Sequence, residues 1–138
     1  SAPQIAHGRV LVMDDEAAVR DTAAEMLREL GYEVLTVPDG ASAIAAWRQA
    51  LTERRPFVVA IMDLTVPGGM GGAEALTEIR TLDPGARAIV SSGYSDSPVV
   101  ANWRSYGFVA CLGKPYGVQQ LIDAVADAAE VRSRTLPG

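Results

Sequence analysis

At 138 residues, with 49% hydrophobic and 21% charged, the chain has the size and balance of one domain with its own core and no disorder signature. Its net charge of −5 and the lack of any basic stripe argue against nucleic-acid binding. No apolar run approaches the roughly 20 residues a membrane-spanning helix needs. Residues 1–8 lack the charged and apolar regions of a secretory signal, and the single Cys111 excludes an internal disulfide. Together these point to a cytoplasmic chain without direct membrane contact.

Residues 1–8 read as an N-terminal extension or as non-native residues, with the domain over 9–132 and a tail over 133–138. The apolar run Val10-Leu11-Val12-Met13 predicts a strand that ends in Asp14-Asp15-Glu16. A helix follows over 17–30, with Val19, Ala23, Met26, Leu27 and Leu30 at helical spacing and Gly31 as its stop. A short strand over 32–37 and a Pro38-Asp39-Gly40 turn precede a second helix over 41–54. Its apolar face is marked by Ile44, Ala45, Trp47, Ala50 and Leu51. Then comes Phe57-Val58-Val59-Ala60-Ile61-Met62-Asp63, a continuous apolar run of the kind buried on both faces of a parallel sheet.

A glycine-rich loop, 64–72, leads into a third helix over 73–82 that turns Ala75, Leu76 and Ile79 inward. Ala88-Ile89-Val90 predicts a fourth strand delivering Ser91-Ser92-Gly93 to its end. Ser97-Pro98 has the form of a helix start, so a fourth helix is expected over 98–106, stopped by Gly107. Residues 108–112 are the fifth strand or its approach and run into Gly113-Lys114-Pro115. A last helix over 118–132 presents Leu121, Ile122, Val125 and Ala129. Five alternating strand–helix units predict an α/β fold, a parallel sheet with helices on both faces.

The chemistry-bearing residues all fall at predicted strand ends: Asp14 and Asp15, Asp63, Ser92, Lys114. In open α/β sheets this is where ligands bind. Asp14-Asp15-Glu16 alone could be an acidic start to the first helix, where the dipole favours acids. Gathered with Asp63, the carboxylates would repel one another unless a hard divalent cation sat among them, and Mg²⁺ suits a few carboxylates, water and a phosphate. A hydroxyl and an ammonium opposite would serve the remaining phosphoryl oxygens. Such a site can move a phosphoryl group onto a carboxylate. The loop glycines lack the Gly-Lys-Ser/Thr ending of a P-loop and are read as conformational.

Asp14-Asp15, Asp63, Ser92-Gly93 and Lys114-Pro115, in that order, resemble the signature of the bacterial response-regulator receiver domain. The resemblance implies a doubly wound, flavodoxin-like (βα)5 sandwich with sheet order 2-1-3-4-5. It implies Asp63 as phosphoacceptor, with Mg²⁺ held by Asp15, Asp63 and the Thr65 backbone carbonyl and by Asp14 through water. Ser92 and Lys114 would contact the phosphoryl group, and the Lys114–Pro115 bond would be cis. The implied partner is a histidine kinase or a histidine phosphotransfer domain; a weak homodimer is compatible with it. The long loop after Asp63, with Ser91-Ser92-Gly93-Tyr94-Ser95 and Lys114-Pro115-Tyr116, is most like the C-terminal receiver of hybrid sensor histidine kinases, a stand-alone regulator being the alternative.

One departure stands out. Many receivers have Tyr or Phe three residues before the lysine, a ring that changes position with the phosphorylation state; here that residue is Cys111. Phosphorylation is therefore expected to act through the loop 92–97, with bulky Tyr94 shielding the site. An aspartyl-nucleophile phosphatase would place a second Asp two residues after the nucleophile, where this chain has Thr65. The intact acidic set speaks against a receiver that is never phosphorylated. Trp47 and Trp103 are read as packing residues, with Trp103 also a candidate contact for partners.

Overall fold

The computed structural model describes residues 8–93 and 101–135, with side chains through residue 128. Five strands, β1 (Arg9–Met13), β2 (Glu33–Val37), β3 (Phe57–Asp63), β4 (Ala88–Ser92) and β5 (Ala110–Gly113), form one sheet. All neighbours are parallel, in the order β2-β1-β3-β4-β5. The four α-helices among the described residues are α1 (Ala17–Glu29), α2 (Gly40–Thr52), α3 (Gly72–Leu82) and α4 (Val118–Thr135). None of them is long and apolar enough to cross a membrane. The doubly wound architecture with order 2-1-3-4-5 is the one expected from the sequence.

The apolar runs are continuous because both faces of the central strands are covered. Leu11, Met13, Ala60, Met62 and Val90 point into a core shared with α2 and α3. Their neighbours Val10, Val12, Val59, Ile61 and Ile89 point the other way, onto α1 and α4. Trp47 is buried, its ring 5.3 Å from that of Phe57, and its indole N–H donates to Asp83 Oδ2 at 3.1 Å. Burying side chains of this size contributes about 1.5–3 kcal/mol each. The sheet is thus a stiff plate whose carboxyl edge is fixed by two buried layers.

Several predicted details differ. Ala45 is exposed, and Ala43 is buried in its place; Ala24, Ala124 and Ala128 also take buried positions that the pattern did not single out. Alanine is small enough for either face, so periodicity does not sort it. Within the expected fourth helix, residues 98–100 lie outside the described residues, as do Tyr94 and the rest of the loop through Ser97. Asn102 leaves helical geometry, with φ −122° and ψ 38°, and Trp103–Tyr106 is a 3₁₀ turn that ends at Gly107 with φ 100°. The half-buried Trp103 packs on the α2–α3 core, with the Arg104 guanidinium 4.4 Å over its ring. Strand β5 starts at Ala110 rather than 108, and α4 continues to Thr135 rather than stopping near Arg132.

Helix ends follow local chemistry. Asp39 caps α2, its Oδ1 accepting the Ser42 N–H at 2.8 Å. Helix α1 ends in a Schellman motif: Gly31 at φ 100°, with Gly31 N–H donating to Arg28 O and Tyr32 N–H to Leu27 O. Helix α2 ends the same way, Arg54 N–H to Leu51 O and Arg55 N–H to Ala50 O, but its left-handed residue is Arg54 at φ 58°. A side chain in that conformation costs roughly 1–2 kcal/mol. Arg54→Gly is therefore expected to stabilise the domain by about 0.5–1 kcal/mol, part of the gain being lost to glycine's freedom in the unfolded chain. Urea denaturation would read this as a raised midpoint at unchanged slope; a lowered midpoint would contradict it.

Candidate functional site

Strand register brings the predicted residues to one edge. Asp14 follows β1, its N–H donating to Val37 O at 3.1 Å, which ties the start of the acidic pair to the end of β2. Asp63 ends β3 and pairs in register with Ser91, while Ser92 pairs with Gly113 immediately before Lys114. Leu64 N–H donates to Ser91 O at 2.9 Å and Lys114 N–H to Ser92 O at 2.9 Å, so the chain leaves each strand along a fixed line. The Lys114–Pro115 bond is cis, as the resemblance implied.

The loop after Asp63 folds back tightly on the strand. A Cβ on Gly71 would run into the Leu64 carbonyl oxygen, and one on Gly72 would lie 2.9 Å from the Asp63 carbonyl oxygen. The conformational reading of these glycines therefore holds for close approach, while Gly68 serves it through φ 74°. Thr65 N–H reaches Asp63 Oδ1 at 3.4 Å.

Asp14 and Asp63 are buried, at 2% and 5% exposure, and Asp15 beside them is exposed. Lys114 Nζ lies 2.7 Å from Asp14 Oδ2 and 3.1 Å from Asp63 Oδ1, bridging the two buried carboxylates. One oxygen from each of Asp14, Asp15 and Asp63 falls within 4.8 Å of the others. A cavity of about 710 Å³ opens over them, lined by Asp15, Asp63, Thr65, Ser92, Lys114 and Tyr116 among others. Ser91 is equally buried but does not line it. The structure thus brings together Asp14, Asp15, Asp63, Thr65, Ser92 and Lys114, while Tyr94 lies outside the described residues.

Burial pushes the Asp63 pKa up to about 6, the Asp14 charge adds to the rise, and the hydrogen bond from Lys114 opposes it. For Lys114, burial alone would lower the pKa; the bonds to Asp14 and Asp63 outweigh it, and the ammonium is held more firmly than usual. Burial, then the Asp14 charge, raises the Tyr116 phenol to about 12, so it stays neutral. Three carboxylates facing one ammonium, all hard oxygen donors, are the set a small divalent cation takes. Asp14 is the least free of them: Oδ1 accepts the Glu16 N–H, Oδ2 meets Lys114, and its carbonyl accepts from Arg20 at 2.8 Å.

Sequence reasoning did not find Arg20 or the buried role of Tyr116. Arg20 acts on a backbone carbonyl, and no side-chain pattern announces such an acceptor. In the sequence Tyr116 is no more than part of a motif, yet its position directly after Lys114-Pro115 places it, half-buried, against the cavity.

An acid whose folded pKa lies above its unfolded value stabilises least when ionised. The Asp63 contribution is intact below about pH 4, is lost as pH rises toward 6, and stays lost above that. In metal-free buffer at pH 7.5, Asp63→Asn is expected to be more stable than the parent by on the order of 2–3 kcal/mol, the difference closing below pH 4. Paired melts in EDTA across pH 3.5–8 check this; a parent that is the more stable at pH 7.5 would reject it.

Comparison with known proteins agrees with this geometry. Residues 10–126 match the family model described as "Response regulator receiver domain". A response regulator receiver protein from Anaeromyxobacter is 34% identical over 115 residues, 83% of this chain but only 46% of the relative, so the chain spans about half of that protein. Sporulation initiation phosphotransferase F of Bacillus subtilis is 25% identical, covering 91% of this chain and 96% of that one. Chemotaxis protein CheY of Thermotoga maritima is 30% identical, covering 85% and 93%. The crystal structure of a receiver domain from Clostridium thermocellum superposes with a TM-score of 0.80 at 25% identity, over 94% of this chain and 99% of that one. With its sheet order, its acidic edge and a family match running from β1 into α4, the chain belongs to the response regulator receiver domain family.

Proposed function

We propose that Asp63 accepts a phosphoryl group from a phosphohistidine on a histidine kinase or a histidine phosphotransfer domain. The observation that carries this is the Lys114 ammonium bridging the buried Asp14 and Asp63 with Asp15 alongside. An ionised Asp63 oxygen attacks phosphorus, the P–N bond breaks, and the histidine nitrogen keeps the electron pair. Asp15, Asp63 and the Thr65 carbonyl would hold Mg²⁺, with Asp14 acting through water. When bound, the cation would neutralise charge on the phosphoryl oxygens and on the crowded carboxylates. Lys114 offers its ammonium, and Ser92 its hydroxyl, to the remaining oxygens. Added charge and acceptor atoms at Asp63 then bias a two-state equilibrium.

Among the relatives that this chain covers nearly end to end are a sporulation phosphotransferase and a chemotaxis protein. The motif likeness to hybrid-kinase receivers gains no support from them. We take the coarser function, a receiver within a phosphorelay, as the reading, and either setting satisfies it.

Incubation with Mg²⁺ and acetyl phosphate is expected to add one phosphate-sized mass, lost in Asp63→Asn and reduced at least tenfold in rate by Lys114→Ala. Undiminished labelling of Asp63→Asn would overturn the assignment. The half-buried Cys111, its thiol pushed up by burial and packed at the margin of the α2–α3 core, has no ring to carry a rearrangement. Amide spectra with and without beryllofluoride are therefore expected to change most over 92–97. A still loop with large changes centred on Cys111 would refute this.

A further inference from the structure

The loop 64–71 carries Thr65, whose carbonyl is the one backbone ligand of the proposed cation site. At its near end Leu64 N–H donates to Ser91 O, and in its middle Gly69 N–H donates to Val66 O at 3.0 Å. Its far end is held by another element. Gly40 N–H, at the start of α2, donates to Met70 O at 2.8 Å. This is one of the amides a helix N-terminus leaves without an internal partner. Position 40 has no room for a side chain: a Cβ there would sit 2.8 Å from both Met70 Cγ and Met70 O, and 3.0 Å from Ala75 Cβ. Its φ is not positive, so contact and not backbone conformation demands the glycine. Beside it, a Cβ on Gly69 would lie 3.8 Å from the Cβ of Asp39, the residue that caps α2.

We propose that Gly40 and Met70 form a positioning clasp. By seating the N-terminus of α2 on the loop 64–71, they hold Thr65 where its carbonyl can serve the cation site. The proposal rests on the Mg²⁺ reading above. Coupling of this kind is reciprocal: if the clasp favours the cation-competent loop, the cation tightens the clasp by the same factor. The α2 N-terminus is thereby a second place where occupation of the acidic edge is felt, reached without passing through β4, β5 or Cys111.

The test is an Mg²⁺ titration of the ¹⁵N-labelled chain followed by amide shifts. The Gly40 and Gly71 amides are expected to titrate together with those of Asp15 and Asp63 and with the same midpoint. Gly40→Ala, which forces the clasp open, is expected to weaken Mg²⁺ affinity about fivefold or more. Ala45→Gly, which loosens the same helix at an exposed position away from the loop, is expected to leave it unchanged. If Asp15 and Asp63 titrate while Gly40 stays still, the clasp proposal is overturned and the cation reading survives. Equal weakening in both variants also overturns it, since that would mark a general effect of helix stability. If Asp15 and Asp63 do not titrate, the cation reading fails and takes the clasp with it. Should Gly40→Ala not fold, the wild-type titration decides alone.

Discussion

One ammonium between two buried carboxylates sets the terms for the rest of this molecule. Asp14 and Asp63 are almost fully withdrawn from water, and Lys114 is within bonding distance of both. Removing the ammonium from such a group would leave buried negative charge uncompensated, at a cost of about 3–5 kcal/mol. Both acids therefore depend on Lys114 staying in place, and Lys114 depends on the strand that delivers it. That strand is fixed by β4, whose Ser92 carbonyl accepts the Lys114 N–H. The parallel sheet holds three chain segments, far apart in sequence, in fixed register at one edge.

The two adjacent acids divide the work through burial. Asp14 has its carboxylate and its backbone engaged by Glu16, Lys114, Arg20 and Val37, so it is a fixed negative charge more than an open ligand. Asp15, one residue later, is exposed, with a carboxylate oxygen close to those of Asp14 and Asp63. Charge fixed in advance and oriented by the fold needs little reorganisation when a charged group arrives.

Much of this was legible in the sequence, for identifiable reasons. Strands buried on both faces write unbroken apolar runs, so β1, β3 and β4 could be placed, and the polar residues ending those runs marked the site. Glycine announced the end of α1, since Gly31 is where the chain needs positive φ. The end of α2 was less visible because Arg54 adopts the same geometry without a glycine to signal it. Ala43 and Ala45 could not be told apart because burial of a methyl group leaves little trace in a pattern. The 3₁₀ turn at Trp103–Tyr106 was hidden for another reason: i to i+3 and i to i+4 spacing differ by one residue, and over four residues periodicity does not separate them. Contacts through backbone atoms, such as Arg20 to the Asp14 carbonyl or Gly40 to Met70, have no side-chain signature at all.

The same burial that makes Asp63 costly to ionise would make the proposed site responsive to an occupant. Domains of this size are stable by about 5–15 kcal/mol in total, so a charge that raises the free energy of the resting fold by a few kcal/mol is a sizeable share. A cation that neutralised this charge would return that energy, and any alternative packing that better satisfied the occupied site would be favoured by the same amount. Moving a two-state equilibrium from mostly one form to mostly the other takes about 5.5 kcal/mol of differential interaction. Relief of an unfavourable buried carboxylate would supply part of that, and the proposed bonds from Lys114 and Ser92 would supply more. A fully solvated aspartate at the same place would bind the same ion yet leave the fold indifferent to it. On the function proposed above, the crowding at the sheet edge is what would connect occupation of the site to the conformation of the domain.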